Sequence, residues 1–421
     1  MKLDWDPEID TPATIAILGG GPVGVEAALY ARFLGYYVML FDARRVGSRL
    51  IRWGDHPLPV TWSEATSSLG LAALEAQDML AGLPSPDAFV SCKDYVEKYL
   101  TPIAKSDLII ESVQINSPVA SVSHAHWPKG QPASLQERAD DEFRLLIDSK
   151  TRGQYTQRAD IILDCTGVGR LPCGLGPGGG QAIGQLAYSK DIQCGVRDAC
   201  DKDRDTFVGK HTVMFGSSLV ACYNATQLAK LILEHPTTKL TWIIPQGRKP
   251  EEWLKPIAAQ ATDLAIDVSR LLSSDQSNFI PLEAWGAESL SRDPNGKWQI
   301  NLLVGEEDTL DITADVVLAT ETQENWSFIE GLGIELCSYG RVTASAGQWL
   351  SDHPQSKPLE ITSGSIVTSE PHYYVLGSKS AGGDPRFTFS HARQQIQQAF
   401  ALIGGRPELN LYATVRPQSL A

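Results

Sequence analysis

TIAILGGGPVGVEAALYARFLGYYVMLFD, residues 14–42, is the stretch from which the fold can be read. Thr14-Ile15-Ala16-Ile17-Leu18 is a short apolar run with β-branched residues that stops at Gly19, the pattern of a strand buried on both faces. Gly19, Gly21 and Gly24 follow in Gly-x-Gly-x-x-Gly spacing. The first glycine allows the tight turn, the second lets backbone approach a pyrophosphate, and the third lets a helix pack closely on a strand. Residues 25–34 continue as a helix with Gly35 placed to end it. The unpaired N–H groups and positive dipole end of that helix form an anion site without help from a charged side chain. Residues 37–41 are a second apolar strand, and Asp42 closes it. A carboxylate there, about 20 residues past the glycines, can accept from both hydroxyls of an adenosine ribose. Strand, turn, helix, strand and acid in this order predict a site for the ADP half of a dinucleotide.

The chain has 421 residues, room for about two or three ordinary domains. Its 43% hydrophobic and 20% charged residues are those of a globular protein, and no apolar run approaches the roughly 18 residues of a membrane helix. The acidic start MKLDWDPEIDTP lacks the apolar core of a signal peptide, so a cytoplasmic protein is expected. A net charge of −14 argues against a nucleic acid or an anionic membrane as partner. A small-molecule substrate is expected instead, and oligomeric state is left open, with a homodimer as one option. The seven cysteines, Cys92, Cys165, Cys173, Cys194, Cys200, Cys222 and Cys337, include no Cys-x-x-Cys pair, the simplest signature of a dithiol relay or zinc site.

After Asp42, residues 43–76 are rich in Gly, Pro, Arg, Trp and Ser and read as a long irregular loop, in which Arg44 and Arg45 can lie along an adenosine. Residues 88–99 read as a helix. Residues 108–110, 117–123 and 143–147 read as strands of a small meander, with His124 and His126 at an exposed hairpin tip rather than at a metal. Residues 160–167 are an apolar strand closing on Cys165-Thr166-Gly167. A loop with seven glycines then looks like a crossing between domains.

A second strand-turn-helix-strand unit begins at residue 212. Its turn, Gly216-Ser217-Ser218-Leu219-Val220-Ala221, keeps the first glycine but has Ser218 in the middle place, where a Cβ crowds the approach to a pyrophosphate. Past its second strand stand Gln246, Arg248 and Lys249 and no acid, which suits a 2′-phosphate better than a bare ribose. Residues 279–285, 298–303 and 315–319 read as strands. Residues 372–377 are a last strand ending in Gly377, followed by a helix over 388–403.

GGGPVGVEAALYA with Asp42, Cys165-Thr166-Gly167 as a counterpart of Ala-Thr-Gly, FVGKHTVMFGSS, and YVLGSKSAGGDPRFTFSHARQQI together resemble flavoproteins with two dinucleotide-binding domains, the group of thioredoxin reductases and flavin-containing monooxygenases. The resemblance covers nearly the whole chain. It implies an α/β fold of two Rossmann-like, three-layer ββα domains, the second inserted into the first: 1–205 and 336–421 for FAD, 206–335 for NAD(P)H. It also implies that Gly19, Gly21, Gly24 and Asp42 hold the FAD adenosine diphosphate, with Arg44 beside it. Thr166, Gly167 and Gly377 would lie by the flavin, and Gly216, Ser218 and Arg248 would serve NADPH. The departures are specific. The redox cysteine pair is absent, Glu321 stands where the second Ala-Thr-Gly has its glycine, and Ser378 stands where an aspartate often meets the ribityl chain, with Asp384 as a candidate to compensate.

The expected activity is that of an FAD-dependent oxidoreductase taking hydride from NADPH and passing electrons to oxygen or a small organic substrate, monooxygenation included. A flavin supplies the chemistry, so no triad or carboxylate pair is required. The competing reading is a flavin-binding protein or oxidase whose nicotinamide site is degenerate.

Overall fold

The computed structural model describes residues 3–168, 171–249, 259–274, 276–354, 357–384 and 386–417. The chain divides into two compact units, Met1–Val168 with Glu324–Ala421, and Gly169–Gln323.

The first unit is built on a five-stranded sheet in the order Tyr373–Val375, Ile161–Asp164, Thr14–Leu18, Tyr37–Phe41, Val113–Gln114. All neighbours are parallel. Four of the five residues of Thr14–Leu18 are buried, as a central parallel strand requires. Helix Pro22–Phe33 follows and buries Gly24 and every residue from Val25 to Ala31, because it lies between the sheet and other helices. Its small residues make this possible: a Cβ on Gly24 would sit 1.9 Å from the carbonyl oxygen of Gly19. Tyr30 stacks on Phe400 of the last helix, Phe389–Ile403, with centroids 5.0 Å apart. A three-stranded antiparallel sheet, Val119–His124, Phe143–Ser149 and Gly153–Ala159, completes the unit.

The second unit repeats the plan. Phe279–Ala284, Lys239–Pro245, His211–Phe215, Val316–Ala319 and Gln193–Cys194 form a parallel sheet in that order, with helix Leu219–Glu234 after the His211–Phe215 strand. A second antiparallel sheet joins Gly286–Arg292, Trp298–Leu303 and Thr309–Ala314.

Several local expectations are corrected. Residues 43–76 are not an irregular loop: they carry helices Ser48–Trp53, Trp62–Ala65 and Ser68–Glu75. The last two are started by a Thr61/Glu64 capping box and by Ser67, whose hydroxyl also donates to the buried Glu26 carboxylate at 2.8 Å. The helix expected over 88–99 starts later, at Cys92 behind the Ser91 cap, and runs through a π turn to Ala104. Residues 108–110 form no strand, and the third strand of the meander is Gly153–Ala159 instead. The boundaries expected at 205/206 and 335/336 fall inside the units. Gln193–Cys194 pairs with Val316–Ala319, which ties 169–205 to the second sheet. Phe328, Ile329 and Leu332 pack in a core of the first unit, which ties 324–335 to it.

Candidate functional site

The first unit gathers its distinctive residues at the carboxyl edge of its parallel sheet, where ligands of open α/β sheets collect. Gly19 has φ +105°, and a Cβ on it would lie 2.5 Å from the carbonyl oxygen of Cys165. That glycine is required by the turn and by the neighbouring strand together. Gly21 differs: its φ is −80° and a Cβ on it would meet no protein atom within 4 Å. No side chain caps the helix that Gly21 opens, and Pro22 follows in the first turn, where a missing N–H costs nothing. Asp42 is half-buried beside this turn. Its Oδ2 accepts from Gly20 N–H at 2.8 Å and its Oδ1 from Arg44 N–H at 2.7 Å, which fixes the carboxylate and leaves acceptor capacity on both oxygens. Arg44 itself is exposed.

The other strand ends converge here. Gly377, at φ +81°, lies against Val23 of the first helix, which a Cβ would approach to 3.1 Å, and its N–H donates to the buried Gln395 at 2.8 Å. A Cβ on Gly167, at φ +67°, would lie 3.7 Å from Ser378 Oγ and 3.8 Å from Arg49 Nη1. Under these residues is a fully buried ion pair that the sequence reading missed. Lys379 Nζ donates to Asp164 Oδ2 at 2.7 Å, to the Asn325 carbonyl at 3.1 Å and to Thr166 Oγ1 at 3.2 Å. The ammonium also lies 3.8 Å from the ring centroid of Trp326. Asp164 further accepts from Thr166 N–H, the Thr166 hydroxyl and the Tyr373 hydroxyl, at 3.0, 2.6 and 2.9 Å. Thr166 is thereby a clamp on Asp164. The signals were present: one Asp ending the apolar Ile-Ile-Leu-Asp strand and one Lys just after a strand-ending glycine.

Asp384 is held in an ion pair with Arg386, whose Nη2 donates to Oδ2 at 2.6 Å and whose Nε donates to Oδ1 at 3.0 Å. Arg386 in turn donates to the carbonyls of His353, Pro354 and Lys357. Asp384 therefore staples its own loop. His124 is no exposed hairpin tip. It ends a strand, is buried, and its Nε2 lies 2.9 Å from Glu370 Oε1. Burial alone would push Glu370 up, but hydrogen bonds from His124, Arg138 and Gly333 N–H carry it below the ordinary range. Among the described residues no group of three or more His, Cys, Asp and Glu is placed to hold a metal ion.

The second unit has the same turn with different occupancy. Gly216, at φ +132°, is pressed against the exit of the adjacent strand: a Cβ on it would lie 2.1 Å from Thr320 Oγ1 and 2.6 Å from Glu321 Oε1. The Trp242 indole donates to the Gly216 carbonyl at 2.8 Å. Ser217 N–H and Ser218 N–H, at the start of helix Leu219–Glu234, both donate to Glu321 Oε1 at 2.8 Å. A carboxylate of the chain itself thus lies on the first N–H groups of this helix. The Ser218 hydroxyl is buried there and has no hydrogen-bond partner among the described residues. Arg248 lies exposed three residues past the Lys239–Pro245 strand, its N–H donating to the Pro245 carbonyl at 3.0 Å. A separate hollow of about 450 Å³, lined in part by Asp205, Lys210, Arg292 and Asp315, lies toward the amino ends of these strands, away from this turn.

No helix among the described residues is long and apolar enough to cross a membrane. No protein-family model matches the sequence. No curated protein matches it either. Solved structures do. A bacillithiol disulfide reductase from Bacillus cereus superposes with a TM-score of 0.62 at 12% identity, over 93% of this chain and 99% of that one. The FAD-bound cadaverine monooxygenase of desferrioxamine biosynthesis from Erwinia amylovora gives 0.62 at 14% identity, over 94% and 96%. Thioredoxin reductase from T. acidophilum gives 0.53 at 15%, over 98% and 100%. The chain has the α/β fold of the flavoproteins with two dinucleotide-binding domains, end to end.

Proposed function

We propose that this chain is a cytoplasmic FAD-dependent oxidoreductase acting on a small molecule, with oxygen or that molecule as electron acceptor. The carrying observation is the uncapped start of helix Pro22–Phe33, open at Gly21 and flanked by the fixed Asp42 carboxylate. Peptide N–H groups and the helix dipole would hold the diphosphate, and Asp42 would accept from the adenosine ribose, with Arg44 alongside. The cadaverine monooxygenase of the same fold is described as bound to FAD. Bound there, the flavin supplies hydride and electron transfer. The chain supplies position and electrostatics. Gly167 and Gly377 keep side chains off the sheet edge, and the positive end of helix Phe389–Ile403 favours negative charge on a reduced ring. Thr388 N–H donates to His391 Nδ1 at 3.1 Å, which requires a neutral ring, and burial lowers the His391 pKa accordingly.

The second unit has the fold of a nicotinamide-dinucleotide domain, and Arg248 makes NADPH the favoured partner over NADH. A specific observation supports the other reading, a flavin enzyme working without NAD(P)H: Glu321 lies on the N–H groups that a pyrophosphate needs.

The test is the purified protein. It should be yellow and release FAD, not FMN, on denaturation. Gly21→Ala, which meets no protein atom, should leave stability within about 0.5 kcal/mol and cut FAD retention at least about tenfold. Gly24→Ala, clashing with Gly19, should unfold the unit. A colourless protein that cannot be reconstituted with FAD, or a Gly21→Ala variant with full flavin, overturns the assignment.

A further inference from the structure

The two units place one chain position in two ways. In the first, strand Ile161–Asp164 is followed by Cys165-Thr166-Gly167, and in the second, strand Val316–Ala319 is followed by Thr320-Glu321. Each strand lies next to the one that ends in the glycine turn, parallel to it, and each exit packs against that glycine. Thr166, two residues past Asp164, turns its hydroxyl back onto Asp164 at 2.6 Å. Glu321, at the matching point two residues past Ala319, sends a carboxylate that accepts from two successive N–H groups at 2.8 Å. An anionic acceptor on two peptide donors at the positive end of a 16-residue helix is the interaction a phosphate makes.

We infer that Glu321 is a built-in occupant of the second unit's pyrophosphate position, so that a dinucleotide binds only by displacing it. This rests on the reading of that unit as a nicotinamide-dinucleotide domain. The carboxylate competes for the same donors and, once displaced but still nearby, repels the incoming diphosphate. Glu321 thus sets how tightly the nucleotide is held, and Ser218, whose hydroxyl is buried without a partner, becomes a phosphate donor when Glu321 leaves. This separates low affinity from loss of the site: the fold of the cradle is intact and its occupant is a single side chain.

The experiment is titration calorimetry of the protein as purified, with flavin if bound, against NADP+, ADP-ribose and inorganic pyrophosphate, for wild type, Glu321→Ala and Glu321→Gln. Replacing two charge-assisted hydrogen bonds to the chain by the same bonds to ligand is expected to tighten NADP+ binding by about tenfold to a hundredfold in Glu321→Ala. Glu321→Gln, which keeps the acceptor without the charge, should fall between. Thermal melting gives a second readout, since Glu321→Ala leaves the helix start uncapped. It should melt below wild type without ligand and recover with pyrophosphate, whereas wild type should not respond to pyrophosphate. NADP+ affinity in Glu321→Ala equal to or weaker than wild type, with the variant folded, overturns the inference. If Glu321→Ala takes pyrophosphate but neither NADP+ nor ADP-ribose, the occupied cradle stands and the nicotinamide reading falls. If no ligand binds any variant, both fall.

Discussion

Replacing Lys379 by methionine removes the cation from a cluster in which both Lys379 and Asp164 side chains are 0% exposed. Methionine is close in volume to lysine, so packing against Trp326 and Phe328 is largely kept and the effect reports charge and hydrogen bonding. Removing one partner of a buried ion pair costs about 3–5 kcal/mol, because the remaining charge is desolvated and unpaired. Asp164 keeps three donors, from Thr166 N–H, the Thr166 hydroxyl and the Tyr373 hydroxyl, which puts the expected loss near the lower end, about 3 kcal/mol. Asp164→Asn alone should cost a similar amount by stranding the ammonium. The double variant should recover most of the loss, since removing both charges of a buried pair is often nearly neutral. In a chain of two units a single unfolding free energy is poorly defined, so the local measurement is preferable. Hydrogen exchange of the backbone over 161–167 and 373–380, followed in urea, reads the two segments that the pair joins. Because the pair is dry, the loss should be the same at about 0.1 M and about 1 M salt. Unchanged protection in Lys379→Met, within about 0.5 kcal/mol, refutes the reasoning. So does a loss that disappears in high salt.

Two further outcomes follow from other buried groups. Burial of His372, only partly offset by Asp6 and Asp140, pulls its pKa down to about 4. Its Nδ1 has no partner and its ring lies against Trp5 at 4.7 Å. The unfolded chain, with an ordinary pKa near ~6.5, takes up a proton that the folded chain refuses. The contribution is therefore present in full above about pH 6.5 and is lost as pH falls toward about 4. The gap of about 2.5 pH units, at ~1.4 kcal/mol each, amounts to about 3.5 kcal/mol. Urea midpoints should fall more steeply across that window in wild type than in His372→Leu, and parallel curves for the two would refute the assignment. For the thiols, burial pushes Cys92 up to about 12 and raises Cys165 well above the usual range. Iodoacetamide at about pH 8 should leave both unmodified in the native protein, by mass spectrometry, and reduction of the bound flavin should survive alkylation of the remaining cysteines. Loss of flavin reduction on modifying Cys173 alone would restore a thiol mechanism.

The first glycine-turn unit was legible because its signals are local. Gly19 and Gly24 are demanded by contacts a few residues or one strand away, and an apolar run ended by glycine can do little but form a buried strand. Residues 43–76 were misread as loop because short capped helices carry too few residues for a periodicity to show, and their stability comes from neighbours such as Glu26 and Tyr99. The domain boundaries were displaced because two-residue strands such as Gln193–Cys194 leave almost no pattern of their own and are defined only by the sheet they join.

By itself the sequence determined the α/β class, the tandem of two glycine-turn units and the placing of Gly19, Gly21, Gly24 and Asp42 at the turn, helix start and strand end of the first. Tertiary structure alone decided what the other polar groups do. Lys379 meets Asp164 across 215 residues, and Glu321 meets Ser217 across 104. Backbone preference and hydrophobic periodicity act over a few residues, whereas a buried charge finds its partner only when separate strand ends are brought to one edge of a sheet. For that reason the glycine turn of the first unit was readable from its sequence, and the carboxylate on the helix start of the second was not.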